Sequence, residues 1–427
     1  MLISLSSLDH CTIVVPSLPS WIYAIAVHGT CCVLGGLPCG ILLYHLLQKK
    51  KKKNGITQKL RCIVGVCVGM IAAGIIVIGR PVIESYSPNN EITFIGPVFA
   101  STFGFTTFFK SMNVAFGTYP EGADTVDLHT WLNWFFMTPE PTFAKGKTSK
   151  VHRTEVLLKI RDLFFQIIAL FILLTVLMHH PPPYYQVMST TTKRSLSSLN
   201  DADADADDNS DAGIFEWWQF LLATHVNGFI HLWLLSSYFA FCLDVSTLLN
   251  CVLSGGVRME PGFCYPLVES RSFKETWGTR WNRPVNLLLK RTIYIPARKS
   301  AGFCKNPNVA AVLTFVASGL LHEYNFAIHN HHSLSLSSSI GGGGYRPGEV
   351  TLFFLFMGIV MISESWVWNR CFPQRLQTAI DQLPSIATAS ILTFMVAGLA
   401  ERYFLRGWFH SGFVEAVAQM MPYLKCQ

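Results

Sequence analysis

The strongest constraint on the fold is a run of mostly apolar residues, 309–328, that contains the ionisable pair His322 and Glu323. Its length of about 20 residues is what a helix needs to cross the hydrocarbon core of a membrane. An ionisable side chain costs roughly 3 kcal/mol there on insertion scales, so it usually faces a bundle interior or a wet cavity and is often functional. The run therefore predicts a membrane helix with a functional histidine. A histidine that only hydrogen-bonds between helices is the alternative.

The composition of the whole chain agrees with a membrane location. Half of the residues are hydrophobic and 14% are charged, whereas soluble domains carry about 25% charged residues. The net charge of +7 comes from short basic segments between apolar runs, which is typical of cytosolic loops and not of a nucleic-acid-binding face. The twelve cysteines lie mostly within apolar runs and lack paired metal spacing, and a histidine cluster at 329–332 lacks a rigid frame. We therefore predict no disulfide framework and no metal site.

The apolar runs predict an all-α fold, a polytopic membrane helical bundle of about eight transmembrane helices in a single membrane domain, 1–427. The predicted spans are residues 21–47, 62–78, 92–116, 163–178, 228–253, 309–328, 350–368 and 386–405. The first is interpreted as a retained span and not as a cleaved signal, because no basic region precedes it. Basic clusters within residues 49–61, 145–161 and 258–305 place these segments in the cytosol and both termini on the opposite side.

The segments around the spans give four further predictions. Residues 179–213 contain an Asp-Ala alternation and form an acidic, disordered lumenal loop, because they cannot bury a core. Residues 117–159 contain an interfacial segment with aromatic rings at the level of the lipid headgroups. Lys110, near the end of the third span, extends to the interface. Asn227 and His231 share one helix face and hydrogen-bond between helices.

The cytosolic loop, residues 255–307, has an unusual composition for a linker. Trp277 and Trp281 are one helical turn apart, with Arg280, Asn282 and Arg283 beside them. Aromatic rings and guanidinium groups at a membrane surface suit a ligand with a flat base, phosphates and an apolar tail, and acyl-coenzyme A has these three parts. An amphipathic helix that lies on the membrane with tryptophan anchors explains the same pattern equally well.

A family resemblance favours the first interpretation. Residues 259–297, with Ser272-Phe273 leading to residues 277–282, resemble the signature of wax synthases, which are long-chain-alcohol O-fatty-acyltransferases related to the membrane-bound O-acyltransferases. Residues 317–323 are similar to the Ser-Gly-x-x-His-Glu segment of that family, and residues 358–364 to a segment in which Glu follows Gly by six residues. The similar region, residues 260–364, is expected to be catalytic. Met357 stands where members often have His and Thr276 where Phe is common, which puts the acceptor alcohol in doubt more than the reaction.

The resemblance implies that His322 is the catalytic base and Asn282 its polar partner in the transfer of a fatty acyl group from acyl-coenzyme A to a lipophilic alcohol, which makes a wax ester. Imidazole can take the hydroxyl proton near neutral pH, and an amide can stabilise the oxyanion. The expected substrate-binding residues are Trp277, Arg280, Trp281, Arg283, Ser318, Glu323 and Glu364. Glu323 or Glu364 is also a candidate to orient the imidazole. No Gly-x-Ser-x-Gly elbow is present, which favours direct attack by the alcohol.

The expected partners are acyl-coenzyme A as co-substrate, the alcohol and membrane lipids, with no cofactor and no nucleic acid. By resemblance, the protein is expected in the endoplasmic reticulum membrane. Three alternatives remain at this point. The acceptor is a diacylglycerol or a sterol; the chain is an inactive scaffold; or it is a transporter or channel with His225, His231, His322 and Glu364 along an ion path. Against a transporter, the sequence shows no internal repeat of the kind that transporters often have.

Overall fold

Helices account for most of the chain, as the succession of apolar runs predicts. The structure is a computed structural model. It describes residues 11–16, 18–51, 58–85, 95–123, 126–136, 138–144, 147–179, 210–299, 305–329, 346–410 and 413–426. Residues 180–209 of the predicted acidic loop, 179–213, and the histidine cluster beyond residue 329 lie outside this part. Helix begins already at residue 210, so the end of the segment predicted as a disordered loop is helical.

The long helices follow one another through the whole chain. They are α1 (Leu18–Cys31), α2 (Leu37–Lys51), α3 (Gln58–Ser85), α4 (Ile95–Phe116), α6 (Arg153–His179), α7 (Ser210–Leu253), α12 (Pro307–His329), α13 (Glu349–Cys371) and α15 (Ser385–Ala400). Single π-helical turns join α1 to α2 (Cys32–Gly36) and extend α15 (Glu401–Leu405).

The shorter elements lie between or after these helices. They are β1 (Cys11–Val14), α5 (Leu128–Phe136), β2 (Phe143–Ala144), β3 (Lys147–Thr148), α8 (Pro266–Glu269), α9 (Phe273–Glu275), α10 (Arg283–Leu289), α11 (Ile295–Lys299), α14 (Gln374–Asp381), α16 (Arg406–His410), α17 (Phe413–Met420) and β4 (Tyr423–Cys426). Two further π-helical turns, Thr276–Arg280 and Lys290–Tyr294, flank α10. β1 pairs antiparallel with β4, and β2 with β3.

The predicted spans all coincide with helices. Five helical segments of the described chain are long and apolar enough to cross a membrane: residues 18–47, 60–78, 153–179, 220–253 and 307–328. The chain is thus an integral membrane protein. The predicted crossings by α4, α13 and α15 coincide with helices as well, but whether those helices span the bilayer stays a prediction.

Small residues let the central helices approach closely. A Cβ atom on Gly228 of α7 would lie 2.1 Å from the carbonyl oxygen of Ala397 in α15. One on Gly319 of α12 would lie 2.6 Å from the Cα of Thr351 in α13. Such glycines bring backbones together where lipid gives no hydrophobic drive for helix association. The α7–α15 and α12–α13 pairs therefore form a tightly packed centre.

One buried polar contact crosses the α7–α15 interface. Nδ1 of His231 lies 2.8 Å from a carboxylate oxygen of Glu401, and both side chains are almost fully buried. The imidazole also stacks on Phe409, with ring centroids 3.7 Å apart. The prediction of an interhelical hydrogen bond is confirmed for His231. For Asn227 it is not, because neither amide atom of this fully buried residue has a partner in the described part of the chain.

Two interfacial predictions are wrong. Lys110 is fully buried, and its Nζ donates a hydrogen bond to the carbonyl oxygen of Trp134 at 2.6 Å. The rings of Trp131 and Trp134 are themselves buried in a cluster with Leu43, Val68 and other apolar residues. The segment 126–136 folds back onto α2 and α4, so its aromatic rings cover Lys110 and do not lie among lipid headgroups.

The segments predicted for the cytosol contact one another. The amide of Thr142 donates to the carbonyl of Arg258, and that of Arg258 to Ser149. Arg291 pairs with the buried carboxylate of Glu140 at 2.5 Å. At the other end of α6, Nε2 of His179 contacts the carbonyl of Leu424 in β4 at 2.8 Å. The basic segments thus meet at one end of α6, and β1 and β4 lie at the other.

Candidate active site

A cleft of about 550 Å³ lies between α12, α13 and the segment that runs from α9 to the second π-helical turn of the cytosolic loop. One face of α12 lines it from end to end, because Asn308, Ala311, Phe315, Ser318 and His322 follow at intervals of three or four residues. Fourteen residues of helix span about 21 Å. The cleft therefore extends from the start of α12 to the histidine well inside the bundle.

His322 lies at the inner end of the cleft against aromatic rings. Its imidazole stacks on Phe354 with the centroids 4.7 Å apart and meets Phe404 edge-on at 5.1 Å. Nδ1 is buried and has no hydrogen-bond partner among the described residues. The residue itself is half-buried and lines the cleft.

Trp277 and Trp281 hold the loop against the helices and line the outer part of the cleft. Their ring centroids are 5.5 Å apart. The ring of Trp277 also packs 5.9 Å from that of Phe354, the residue that stacks on His322. The predicted one-turn spacing is realised in a π-helical turn, Thr276–Arg280, and such turns are frequent at functional sites.

Asn282 lines the same cleft as His322. Its φ of 38° places it in the left-handed region, and its side chain makes no capping hydrogen bond to α10. Asparagine tolerates this conformation better than most residues. The side chain thus lies at the cleft and does not cap the helix that follows it; its role as partner of His322 stays a prediction.

Arg280 and Arg283 are not among the lining residues of the cleft. Arg280 donates to Glu275 at 2.7 Å and to the carbonyl of Cys264 at 3.0 Å, and it also pairs with Glu269. Burial opposes ionisation of Glu275, but the amide of Arg271 and the guanidinium of Arg280 outweigh it and hold the pKa of the carboxyl below its usual value. Arg283 lies 3.4 Å from Glu260. Both arginines stabilise the loop.

The two glutamates predicted near the histidine bind backbone amides. Oε1 of Glu323 accepts hydrogen bonds from the amides of Gly348 and Thr351, at the start of α13. Glu364, which lines the cleft, accepts from the amides of Phe273 and Lys274 at 2.6 and 3.0 Å. Since no hydrogen bond joins His322 to either carboxylate in the described structure, neither glutamate orients the imidazole here.

Replacing Glu364 with alanine is expected to loosen the turn that carries Trp277, because two amides at the start of α9 lose their acceptor. If the cleft is catalytic, kcat/KM falls roughly tenfold, as the loss of about 1.4 kcal/mol predicts. Glu364→Gln keeps one carbonyl acceptor and should recover part of the loss. Limited proteolysis of the cytosolic loop in both variants checks the structural cause. An alanine variant with wild-type activity and an intact loop contradicts this role.

Sequence reasoning missed several lining residues. Lys274 and Lys290 are exposed at the outer end of the cleft, and Asn286 donates from Nδ2 to the carbonyls of Trp277 and Gly278 at 2.7 and 3.0 Å. Asn286 follows Asn282 by one helical turn, and that spacing was the available indication. Arg280 and Arg283 form ion pairs, whereas Lys274 and Lys290 line the cleft. The partners in these ion pairs are up to 23 positions apart in sequence, so local spacing does not reveal them.

Comparisons with known proteins point to one kind of chemistry. Residues 212–329 match the family model MBOAT, the membrane-bound O-acyltransferase family. Over 172 residues the chain is 28% identical to a probable long-chain-alcohol O-fatty-acyltransferase 3 of Arabidopsis thaliana, covering 38% of this chain and 44% of that protein. Over 162 residues it is 31% identical to an acyl-CoA–sterol O-acyltransferase 1 of the same plant, covering 32% of this chain and 46% of the relative. The chain thus spans less than half the length of these relatives.

Proposed function

We propose that this chain, in which residues 212–329 match the membrane-bound O-acyltransferase family, transfers a fatty acyl group from acyl-coenzyme A to a lipophilic alcohol. One observation carries the proposal. The cleft connects the basic cytosolic loop with an imidazole inside a membrane helix, and the elements that resemble wax synthases line both ends of it. A water-soluble donor and a membrane-dissolved acceptor can meet only at such a place.

The outer end of the cleft suits the donor. Lys274 and Lys290 offer cationic groups for its phosphates, and the rings of Trp277 and Trp281 offer faces on which a flat base or a thioester arm can pack. Further in, Ser318 and His322 line the cleft on the same face of α12. A long, thin thioester arm can therefore carry the acyl group down to the histidine.

The reaction follows from this placement. Nε2 of His322 takes the hydroxyl proton while the alcohol oxygen attacks the thioester carbonyl. The amide of Asn282 donates to the oxyanion that develops. The carbon–sulfur bond then breaks, the thiolate takes the proton back from the imidazolium, and the products are an ester and free coenzyme A. The aromatic rings behind His322 exclude water, which limits hydrolysis of the thioester.

Replacing Lys274 and Lys290 together with glutamine is expected to raise the KM for acyl-coenzyme A about tenfold, since exposed ion pairs contribute up to about 1 kcal/mol each. The KM for the alcohol stays unchanged. In the wild type, added salt should raise the donor KM, and this dependence should weaken in the variant. Glutamine at Lys305 and Arg375, two exposed cations outside the cleft, removes the same charge and serves as the control. Equal effects of both double variants would refute the phosphate role.

The function is tested in microsomes of a host that makes no neutral lipid. Labelled acyl-coenzyme A is supplied with a panel of fatty alcohols, a diacylglycerol and a sterol, and the esters are separated. We expect ester formation with at least one alcohol, and fatty alcohol is the acceptor that the wax-synthase resemblance favours. A sterol is the second candidate, because a relative of similar identity is named a sterol O-acyltransferase. Ion or solute flux in proteoliposomes without any ester would point to a transporter instead.

The proposed reaction also suggests a compartment. Acyl-coenzyme A in the cytosol and a lipid alcohol in the bilayer are available together at the endoplasmic reticulum membrane, and we place the protein there. Co-fractionation of the full chain with a marker of this membrane tests the assignment, and a different fraction rejects it.

A further inference from the structure

A second cavity, of about 300 Å³, lies between α6, α7 and the loop around α8, outside the lining of the catalytic cleft. Its walls are mainly apolar and include Phe165, Ala240, Phe263 and Leu267. Two polar side chains among its lining residues, Gln166 and Trp233, have unsatisfied groups. The proposed mechanism uses neither of them.

Gln166 contributes an acceptor. The side chain is 6% exposed, and its Nε2 donates to a carboxylate oxygen of Asp244 at 2.9 Å. Because a carboxylate only accepts hydrogen bonds, this contact fixes the orientation of the amide. Oε1 is then the free end, and it is buried without a hydrogen-bond partner among the described residues. A buried carbonyl in this state favours a ligand that donates.

Trp233 contributes a donor. Its Nε1 is also buried and has no acceptor in the part of the chain that the structure describes. A hydroxyl group donates one hydrogen bond and accepts others, so a single hydroxyl matches both an amide oxygen and an indole N–H. A carboxylate cannot donate to Gln166, and an ammonium cannot accept from Trp233. The pair therefore favours a neutral group that both donates and accepts, and a hydroxyl is the simplest such group on a lipid.

The surroundings of the cavity indicate that the hydroxyl belongs to a lipid. Phe165 lines the cavity and is 59% exposed, and its neighbours Phe164 and Ile168 on α6 are exposed as well. Exposed apolar side chains on a membrane helix face the acyl chains of the bilayer. A ligand can thus enter past Phe165 from the membrane with its chain still in lipid.

The second cavity is next to the catalytic cleft. Phe263 lines the cavity, Trp281 lines the cleft, and their ring centroids are 5.3 Å apart. Two non-glycine residues among those described have positive φ. One of them, Tyr265, lines the cavity, and the other, Asn282, lines the cleft. One pair of aromatic rings therefore separates the two spaces.

We propose that this cavity binds a hydroxyl-bearing lipid, the acceptor alcohol, through Gln166 and Trp233 before the alcohol passes Phe263 and Trp281 to reach His322. The site is a binding site and not a reacting one. The assignment of its ligand as the acceptor rests on the proposed function, whereas the binding of a hydroxyl lipid does not.

The test uses the full chain and a long-chain alcohol with a diazirine on its alkyl chain. We expect photolabelling of peptides from α6 and α7, competed by the unlabelled alcohol and far less by its methyl ether, which cannot donate. Trp233→Phe keeps a ring but removes the N–H, and should weaken the competition and raise the KM for the alcohol by roughly tenfold. The KM for acyl-coenzyme A stays unchanged. Trp218→Phe, the same change on the same helix at a 62% exposed position, is the control and leaves both quantities unchanged.

Labelling is repeated in His322→Ala, where it should persist because binding needs no turnover. Gln166→Met replaces Trp233→Phe if the latter fails to fold. Equal competition by alcohol and ether, or labelling that spares α6 and α7 while esters are still made, overturns the site. Labelling of the cavity in a chain that makes no ester rejects the proposed function and leaves a hydroxyl-lipid site. The two failures are thus distinguishable.

Discussion

Replacing His322 with alanine is expected to lower the rate of ester formation by about a thousandfold, since a positioned general base contributes roughly 10²–10⁴ in rate. The cause is the loss of the imidazole that takes the hydroxyl proton in the proposed mechanism. The KM for acyl-coenzyme A should change little, because the proposed contacts to the donor phosphates lie at the other end. Single-turnover measurements with labelled donor separate the chemical step from binding.

The control for this variant is His152→Ala, an exposed histidine outside the cleft, which should retain full activity. Both proteins should elute as single species in detergent. Ester formation by a folded His322→Ala protein at the wild-type rate contradicts the mechanism. The same loss in His152→Ala would show that the assay reports folding and not catalysis.

Replacing Gly228 with alanine is expected to have the largest effect on stability. Its Cβ would meet the backbone carbonyl of Ala397 at 2.1 Å, and a backbone atom cannot rotate away. Overpacking in a well-packed core costs about 1–3 kcal/mol and more where backbone must move. The α7–α15 interface then separates, and with it the contact of His231 with Glu401. A lower melting temperature of the purified protein is the measurement.

Gly74→Ala is the matched control, because nothing lies within 4 Å of the Cβ position at Gly74 in α3. Alanine is favoured over glycine in a helix by about 1 kcal/mol, so this variant should be as stable as the wild type or more stable. If both substitutions shift the melting temperature equally, the close approach of α7 and α15 does not hold the bundle together.

The sequence predicted the helices and much of the cleft, because both are encoded by local spacing. Apolar runs of membrane length locate every long helix, and intervals of three and four residues place Ser318 and His322 on one face. Trp277, Trp281 and Asn282 lie in a short motif whose side chains reach the same cleft. These features can be predicted from neighbouring residues alone, without knowing which distant segments pack against them.

The features that the sequence did not predict depend on contacts between distant segments. Lys110 resembles an interfacial lysine until the segment with Trp134 folds over it, 24 positions later. Arg283 resembles a phosphate ligand until Glu260, 23 positions earlier, pairs with it. Glu323 adjoins the histidine in sequence, but its carboxylate turns to the amides of the next helix. Charge and spacing alone do not show which cations have already been neutralised.

The bonds of Glu323 have a consequence for how the cleft opens. These hydrogen bonds connect α12 to the first turn of α13. One turn earlier in α12, Gly319 lets the backbones of the two helices approach closely. We therefore expect α12, which carries His322, and α13 to behave as one rigid body. The opposite wall is held to this body through Glu364, through the rings around Trp277, and through Leu288 and Leu289, which pack on Leu321 of α12. We therefore expect the short turn that carries Trp277, and not the helix that carries His322, to move when substrates enter and products leave.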